Sequence, residues 1–337
     1  MRLLALGVAA VLAGPLSAPA EAATFKLITT DLTPQLVPNS VMDLAVTLGY
    51  FKREGVDVEL VRVQQTPSAI AALMAGQGDM ANIAVDSALQ LVARNQMKIK
   101  AVLSPDKSLP YLVAAKNAIT TVKGLEGKNF GIGRTGSLDH TLTMMVMRKS
   151  GTDPDKVQYV GVGQPADRAS ALMAGAIDAT TVSIGVWLSM PKKDGLHVLV
   201  DQATYYAGAP VVAKVNVVRD DVLQSKRAEI TAVTTAIIKA SRDFATNPKM
   251  WVDAMVVARP DVARSDLEAL AEAFKYSWSV NGGLNKDDLQ TTTNTDYEGP
   301  DYKDLRKVSF DEWVDLSIIQ SVLKSVGVSP LSDKPTA

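Results

Sequence analysis

The sequence has 337 residues, a formal net charge of −1 at pH 7 and no cysteine. It has no basic surplus for nucleic acid, and a chain without cysteine forms no disulfide. It also lacks the acylated cysteine that anchors a lipoprotein. These features favour a freely diffusing protein with no nucleic-acid partner.

Residues 1–22 are typical of a secretory signal peptide. Arg2 supplies the positive start, residues 3–16 form a short apolar run, and Ala20-Glu21-Ala22 resembles a cleavage site. The run is too short to span a membrane, and no later segment approaches about 18 uninterrupted apolar residues. We therefore expect cleavage near Ala22 and a soluble mature protein.

The next part of the chain alternates between strand and helix patterns. We predict strands over residues 24–30 and 56–63, a helix over 41–54 between them, and a second helix ending at Gly76. Such alternation is typical of an α/β fold, in which helices flank a mostly parallel sheet.

One stretch of this pattern occurs twice. Residues 72–79 (ALMAGQGD) return as residues 171–178 (ALMAGAID), with six of eight letters identical. Two copies about 100 residues apart predict two similar α/β lobes rather than a solenoid. The alternative is convergence, because every helix-to-strand junction favours small residues followed by glycine.

The C-terminal third has a different pattern. From Val222 onward apolar residues follow helical spacing. We predict a polar surface loop with little helix over residues 281–304, and one amphipathic helix over residues 310–326.

Candidate ligand-binding residues follow from the strand ends, because ligands of parallel α/β sheets bind in the loops beyond them. The first lobe contributes Asp31, Leu32, Asp86 and Ser87, and the second contributes Ser183. If the two sets of loops face each other, they form a cleft that closes on a small molecule.

A further candidate in the second lobe is the loop Gly133-Arg134-Thr135-Gly136-Ser137. Its glycines permit close backbone approach, its hydroxyls donate hydrogen bonds, and the following helix presents free N–H groups. We predict an anion site at Thr135, Gly136 and Ser137. The alternative is that Ser137 only caps the helix.

The remaining candidates are aromatic side chains and the histidines. His140 lies one helical turn beyond the anion loop, Trp187 could line the cleft, and Tyr205 and Tyr206 have a weaker case. His197 begins a predicted strand, and we interpret it as a structural residue. With two histidines and no cysteine we predict no metal site, and no catalytic motif such as GxSxG is present.

The chain resembles the periplasmic solute-binding proteins of the nitrate/sulfonate/taurine ABC importers. That family shares its fold with pyrimidine-precursor-binding, NMT1/THI5-like proteins. The likeness spans roughly residues 24–220 and is carried by the following segments: residues 49–58 (GYFKREGVDV), 72–79, 124–133, 135–137 and 171–178. Their order and spacing together are more specific than any one of them.

The resemblance implies a two-lobed type II periplasmic-binding-protein fold with a ligand cleft between the lobes. Residues 23–113 with 212–337 would form one lobe and residues 114–211 the other. It also implies a monomer without a cofactor, which binds a small solute and delivers it to an ABC permease in the inner membrane.

Mapped by position, the family's ligand contacts would fall around Asp31, Asp86-Ser87, Thr135-Gly136-Ser137 and Ser183. We expect an anionic organic ligand such as a sulfonate or taurine, with an aspartate receiving any amine. The alternatives are a carboxylate or a pyrimidine precursor as ligand, an NMT1/THI5-like enzyme, and a sensory receptor.

Overall fold

The computed structural model describes residues 24–105, 111–209, 211–331 and 333. The predicted signal peptide lies outside these residues. The described residues form ten strands: β1 Phe25–Thr29, β2 Val58–Arg62, β3 Met80–Ala84, β4 Ile99–Leu103, β5 Tyr111–Lys116, β6 Asn129–Ile132, β7 Gln158–Gly161, β8 Ala179–Ser183, β9 Leu196–Val200 and β10 Lys214–Arg219.

Within the described ranges, fifteen α-helices connect and cover the strands. They are α1 Val41–Thr47, α2 Tyr50–Arg53, α3 Gln65–Met74, α4 Val85–Ala93, α5 Leu138–Lys149, α6 Pro165–Met173, α7 Ile184–Ser189, α8 Gln202–Gly208, α9 Asp220–Ser225, α10 Arg227–Thr246, α11 Pro248–Ala258, α12 Arg264–Ala273, α13 Lys286–Tyr297, α14 Phe310–Trp313 and α15 Ser317–Val326.

The strands form two five-stranded sheets of the same design. The first has the order β2-β1-β3-β10-β4 and the second β7-β6-β8-β5-β9. In each sheet the fourth strand, β10 or β5, is antiparallel to its neighbours, and the other four strands run in one direction. The predicted mostly parallel α/β fold is therefore confirmed. We call the part of the chain around each sheet the first lobe and the second lobe.

The repeated stretch occupies the same place in both sheets. It covers the end of α3 and the turn that leads into β3 in the first, and the end of α6 and the turn that leads into β8 in the second. Its glycines, Gly76 and Gly175, have φ values of 68° and 75°, the left-handed conformation that ends a helix. The repeat thus builds equivalent helix–strand units.

Three sequence-based expectations about helices are wrong. Residues 281–304 contain α13, which forms because the Asn285 side chain accepts hydrogen bonds from two N–H groups of its first turn and Leu289 is buried. The final helix is two helices, because Val314 is extended and bridges to Ala101 of β4. The helix expected over 41–54 is interrupted at Gly49, whose φ is 73°.

The chain passes between the sheets so that β5 already belongs to the second sheet. Tyr111, its first residue, pairs with Ser183 of β8, whereas the sequence places residues 111–113 in the first lobe. The chain returns at Lys214, the first residue of β10, which pairs with Ala84 of β3. Because β5 and β10 are antiparallel, they begin at the edge where the parallel strands end.

Candidate functional site

The two lobes meet at the ends of their parallel strands, and residues of both lobes line three spaces there. The space that we call the front chamber has a volume of about 270 Å³. It is lined by the loop after β1, by the start of α6 and by the end of β8: residues 31–37, Tyr111, residues 164–167, Ser183, Val186 and Arg259.

Behind the front chamber lies a small polar space of about 30 Å³, the inner pocket. It is lined by Thr30, Asp31, Gln35, Gln65, Thr66, Tyr111, Leu138, Asp139, Pro165, Arg168 and Lys214. Asp31, Gln35, Tyr111 and Pro165 line both spaces. A ligand in the front chamber would therefore face the inner pocket directly.

Each lobe contributes one cation and one carboxyl group to the inner pocket. In the first lobe, Lys214 is only 6% exposed and its Nζ donates to Thr30 Oγ1 at 2.5 Å. Burial raises the pKa of Asp31, and the positive charges of Lys214 and Arg62 partly offset this rise. Lys214 and Asp31 thus place a buried cation and a buried carboxyl group at the cleft.

In the second lobe the corresponding pair is Arg168 and Asp139. Arg168 is 2% exposed and donates to the carbonyl oxygens of Gly163 at 2.6 Å and Thr181 at 3.1 Å. Its Nη2 lies 3.8 Å from Asp139 Oδ2, and its Nε has no partner within the described residues. Asp139 also accepts a hydrogen bond from Gly133 N at 2.8 Å. The guanidinium therefore braces the loops of this lobe.

The third space, the side chamber, has a volume of about 500 Å³ and is lined by both lobes. It holds five of the predicted residues: Asp86, Ser87, Thr135, Gly136 and His140. Thr141 Oγ1 of the second lobe donates to Asp86 Oδ2 of the first at 3.3 Å. Burial raises the pKa of Asp86 to about 6, and burial lowers the pKa of His140.

Other contacts across the cleft show that the lobes are closed against each other. Arg134 Nη2 donates to Ser68 Oγ at 3.0 Å. Gly185, in the first turn of α7, lies so close to Leu36 that a Cβ there would come within 2.5 Å of the leucine Cβ. Gln65 has a left-handed φ of 61°, which is rare outside glycine, and its side chain packs against Gly133.

The predicted site residues are thus divided between two spaces. Asp31, Leu32 and Ser183 line the front chamber, although the Ser183 hydroxyl also caps α7 by accepting from Val186 N. Asp86, Ser87, Thr135, Gly136 and His140 line the side chamber.

Two predicted residues line none of the three spaces. Ser137 is fully buried, and its hydroxyl donates to the Arg134 carbonyl and to Asp139 within the loop. Trp187 is half-buried in an apolar cluster of the second lobe, with Lys193 Nζ 5.7 Å from its ring centre. The geometry does not support either residue as a ligand contact, because other side chains already occupy their polar and apolar surfaces.

The inner-pocket residues that the sequence analysis missed include Gln65, Tyr111, Asp139, Arg168 and Lys214. Tyr111 and Lys214 begin the antiparallel strands, whereas the search covered only the ends of parallel strands. Lys214 does have a signal in the sequence, since it is a single charge within the apolar segment of residues 211–218. A lone charge in a buried strand needs a partner or a function.

Metal-binding and membrane-spanning features were also sought in the described ranges. No group of three histidine or acidic side chains there is placed to hold a metal ion. None of the helices in the same ranges has the length and apolar character needed to cross a membrane.

The fold is shared with several solved structures. A protein from Bordetella bronchiseptica RB50 superposes with a TM-score of 0.75 at 18% identity, covering 90% of this chain and 98% of its own. The alkanesulfonate-binding protein from Xanthomonas axonopodis pv. citri, solved with MOPS, gives 0.69 at 17%, covering 86% and 96%. A desulfurization enzyme gives 0.60 at 12%, covering 90% and 99%. These likenesses establish the periplasmic-binding-protein fold.

Comparison with curated protein sequences finds no match. The sequence model described as "NMT1/THI5 like" matches residues 41–250. The match begins at the first residue of α1, continues through the whole second lobe and ends within α11. It therefore contains both copies of the repeat and most of the residues that line the three spaces. The chain belongs to the NMT1/THI5-like family.

Proposed function

We propose that the protein is the substrate-binding component of an ABC importer and holds a small anionic organic solute between its lobes. The observation that carries this proposal is the pair of buried cations, Lys214 and Arg168, in the inner pocket. Buried cations of this kind are suited to a carboxylate or sulfonate, because charge-assisted hydrogen bonds are strong away from water.

The front chamber is the entrance for this ligand. Its volume of about 270 Å³ is close to the lower end of small-molecule sites. It combines apolar side chains such as Leu36 and Val186 with the carboxylates Asp31 and Asp167. A taurine-like aminosulfonate would direct its sulfonate to the inner pocket and its amine to Asp31.

This placement differs from the one inferred from sequence alone. Ser137 is enclosed by its own loop, so we no longer assign the anion to it. Thr135 and Gly136 remain accessible from the side chamber, and a ligand that extends between α3 and α5 would reach them. Asp86 would then receive an amine instead of Asp31.

The remaining parts of the proposal concern the cell. A signal peptide over residues 1–22 would deliver the protein to the periplasm, where it would act as a monomer. The lobes would be residues 23–113 with 212–337, and 114–211, except that the second lobe would begin at Tyr111 so that it includes all of β5. A permease in the inner membrane would recognise the closed form, because ligand binding favours that form.

A thermal-shift screen tests the ligand class. The mature protein is mixed with taurine, aliphatic sulfonates, carboxylates, nitrate and pyrimidines. A site-specific ligand at one hundred times its dissociation constant adds about 2.7 kcal/mol to the free energy of unfolding. Stabilisation by neutral pyrimidines alone would exclude the anion assignment, and conversion of a compound to a product would favour the enzymatic alternative.

The Lys214→Gln substitution tests the placement of the anion. We expect the affinity for the anionic compound found in the screen to fall about 10- to 100-fold, the loss of one charge-assisted hydrogen bond. Lys52→Gln, at an exposed position of the same lobe, is the matched control and should leave the affinity unchanged. Equal affinity of both variants would remove Lys214 from the site.

A further inference from the structure

Asp86 joins the two lobes through its carboxylate. The residue lies in the first turn of α4, is 9% exposed and faces the side chamber. Its Oδ2 accepts a hydrogen bond from Thr141 Oγ1 of the second lobe at 3.3 Å. This hydrogen bond exists only while the lobes are closed, since its two atoms belong to different lobes.

A second buried carboxyl group lies on a neighbouring helix of the first lobe. Asp296 on α13, which packs against α4, is 7% exposed. Its Oδ2 has no hydrogen-bond partner among the residues that the structure describes. Burial, and then the negative charge of Asp86, raise the pKa of Asp296 well above its usual value. Two carboxylates placed this way repel each other unless one of them is protonated.

The surrounding charges do not neutralise this pair. No cation in the described ranges lies within ion-pair distance of either carboxyl group. The titratable and charged groups around the chamber are Asp155, Asp301, His140, Arg94 and Arg148. Tyr302 donates to the Asp86 carbonyl oxygen. On the other elements that pack against α4, Glu312 of α14 pairs with Arg306, and Lys214 of β10 donates to Thr30.

We propose that the buried carboxyl groups of Asp86 and Asp296 together hold one proton in the closed form, and that closing of the cleft takes this proton up from solution. The inference rests on the proposed function, because it describes how closing of that binding cleft is regulated. When the lobes part, Thr141 moves away and water reaches Asp86, whose charge is then stable without a proton. Closing buries the charge again, and the proton removes the cost of burying it.

The direction of the pH effect follows from this difference. In the closed arrangement burial raises the pKa of Asp86 to about 6, from an ordinary value of 3.8. A group with a higher pKa in the closed form binds a proton on closing, so acid favours the closed form and the advantage is lost above about pH 6. A shift of about two pKa units corresponds to up to about a 100-fold change in the closing equilibrium. Burial of His140 has the opposite effect, because protonating a buried histidine opposes closing.

The absence of cysteine from the chain makes the closing directly measurable. Lys98 and Lys149 are exposed and lie within two residues of Gln96 and Arg148, which line the side chamber from opposite lobes. Cysteines introduced at these positions carry spin labels, and pulsed dipolar spectroscopy of the ligand-free protein gives the distance distribution between pH 4.5 and 8.5. We expect the short-distance population to grow as the pH falls below about 6.

Three variants sharpen the experiment. Asp86→Asn is nearly isosteric and permanently neutral, so its distance distribution should be independent of pH and closed throughout. Asp296→Asn removes the repulsion, so the midpoint should move to lower pH. Asp155→Asn, an exposed carboxylate at the same chamber, is the matched control and should retain the transition.

The inference is overturned if acid opens the cleft, or if Asp86→Asn keeps the wild-type pH response. Failure of the proposed function gives a different result. In that case none of the compounds in the ligand screen changes the distance distribution at any pH. A protein that closes on a ligand but shows no pH response would retain the proposed function and lose only the shared proton.

Discussion

The two lobes have the same strand order but different residues at equivalent positions. Sheet pairing places Lys214 of β10 opposite Ala84, and Tyr111 of β5 opposite Ser183; Ala84 and Ser183 are the last residues of the equivalent strands β3 and β8. The first lobe therefore presents a cation to the inner pocket where the second presents a phenol.

The repeated helices differ in the same manner. With the offset of the repeat, Arg168 of α6 corresponds to Ala69 of α3, and Asp86 of α4 corresponds to Gly185 of α7. Apolar positions such as Leu73 and Leu172 are buried alike in both lobes. The comparison teaches that the common residues build the sheets, whereas the residues that differ meet in the cleft.

Arg168→Ala removes the largest difference, because it gives the second lobe the residue of the first. The substitution leaves Asp139 buried without its cation and frees the carbonyl groups of Gly163 and Thr181. We expect the free energy of unfolding to fall by about 3–5 kcal/mol, as for other broken buried ion pairs. Urea denaturation followed by circular dichroism measures it.

The double variant Arg168→Ala/Asp139→Asn is the control for this prediction. It removes the uncompensated charge and should recover part of the stability. A single variant that loses less than about 1 kcal/mol would show that the ion pair is not what braces the second lobe.

Gly185→Ala tests whether the second lobe needs glycine where the first has aspartate. The new Cβ would meet the Leu36 Cβ at 2.5 Å and the Leu36 carbonyl oxygen at 2.7 Å across the cleft. Such overpacking costs about 1–3 kcal/mol, so we expect ligand affinity to fall about 10- to 100-fold. Isothermal titration with the compound from the screen measures it.

Gly161→Ala is the matched control, because the nearest atom to its Cβ is 3.9 Å away. It lies at the end of β7 in the same lobe and should leave the affinity unchanged. If both alanine variants bind as tightly as the wild type, then contact between Leu36 and α7 does not limit closing.

Ser137→Ala has the smallest expected effect. Its hydroxyl donates to Asp139 Oδ1 at 2.8 Å within the buried loop before α5. Removal of such a hydrogen bond should lower the free energy of unfolding by about 1 kcal/mol. Ligand affinity should stay within about twofold of the wild type, since the loop keeps its other contacts. A tenfold loss of affinity would return Ser137 to the ligand site.

The sequence contains enough local information to predict the fold and half of the cleft. Alternating strand and helix patterns are local properties, and the repeat at residues 72–79 shows that they occur twice. The rule that ligands lie beyond parallel strands then identifies Asp31, Leu32 and Ser183, which line the front chamber. These residues follow directly from their own strands.

The inner pocket could not be predicted in this way. Lys214 donates to Thr30, which lies 184 positions away in the sequence. Tyr111 reaches the cleft only because β5 is antiparallel to its neighbours. Such pairings depend on long-range register, which no local pattern contains. The prediction for Ser137 has the converse difficulty: its residue type and helix position fit an anion site, whereas in the structure its hydroxyl donates to Asp139.

The position of β10 also decides the order in which the lobes can form. The second sheet uses only residues 111–200, a continuous segment, whereas the first has β10, residues 214–219, between β3 and β4. Contacts between distant segments form slowly, so the first sheet stays incomplete until the whole second lobe has been synthesised. The second lobe is therefore the natural nucleus for folding. The apolar edges of β3 and β4 are the surfaces that need protection from aggregation until β10 arrives.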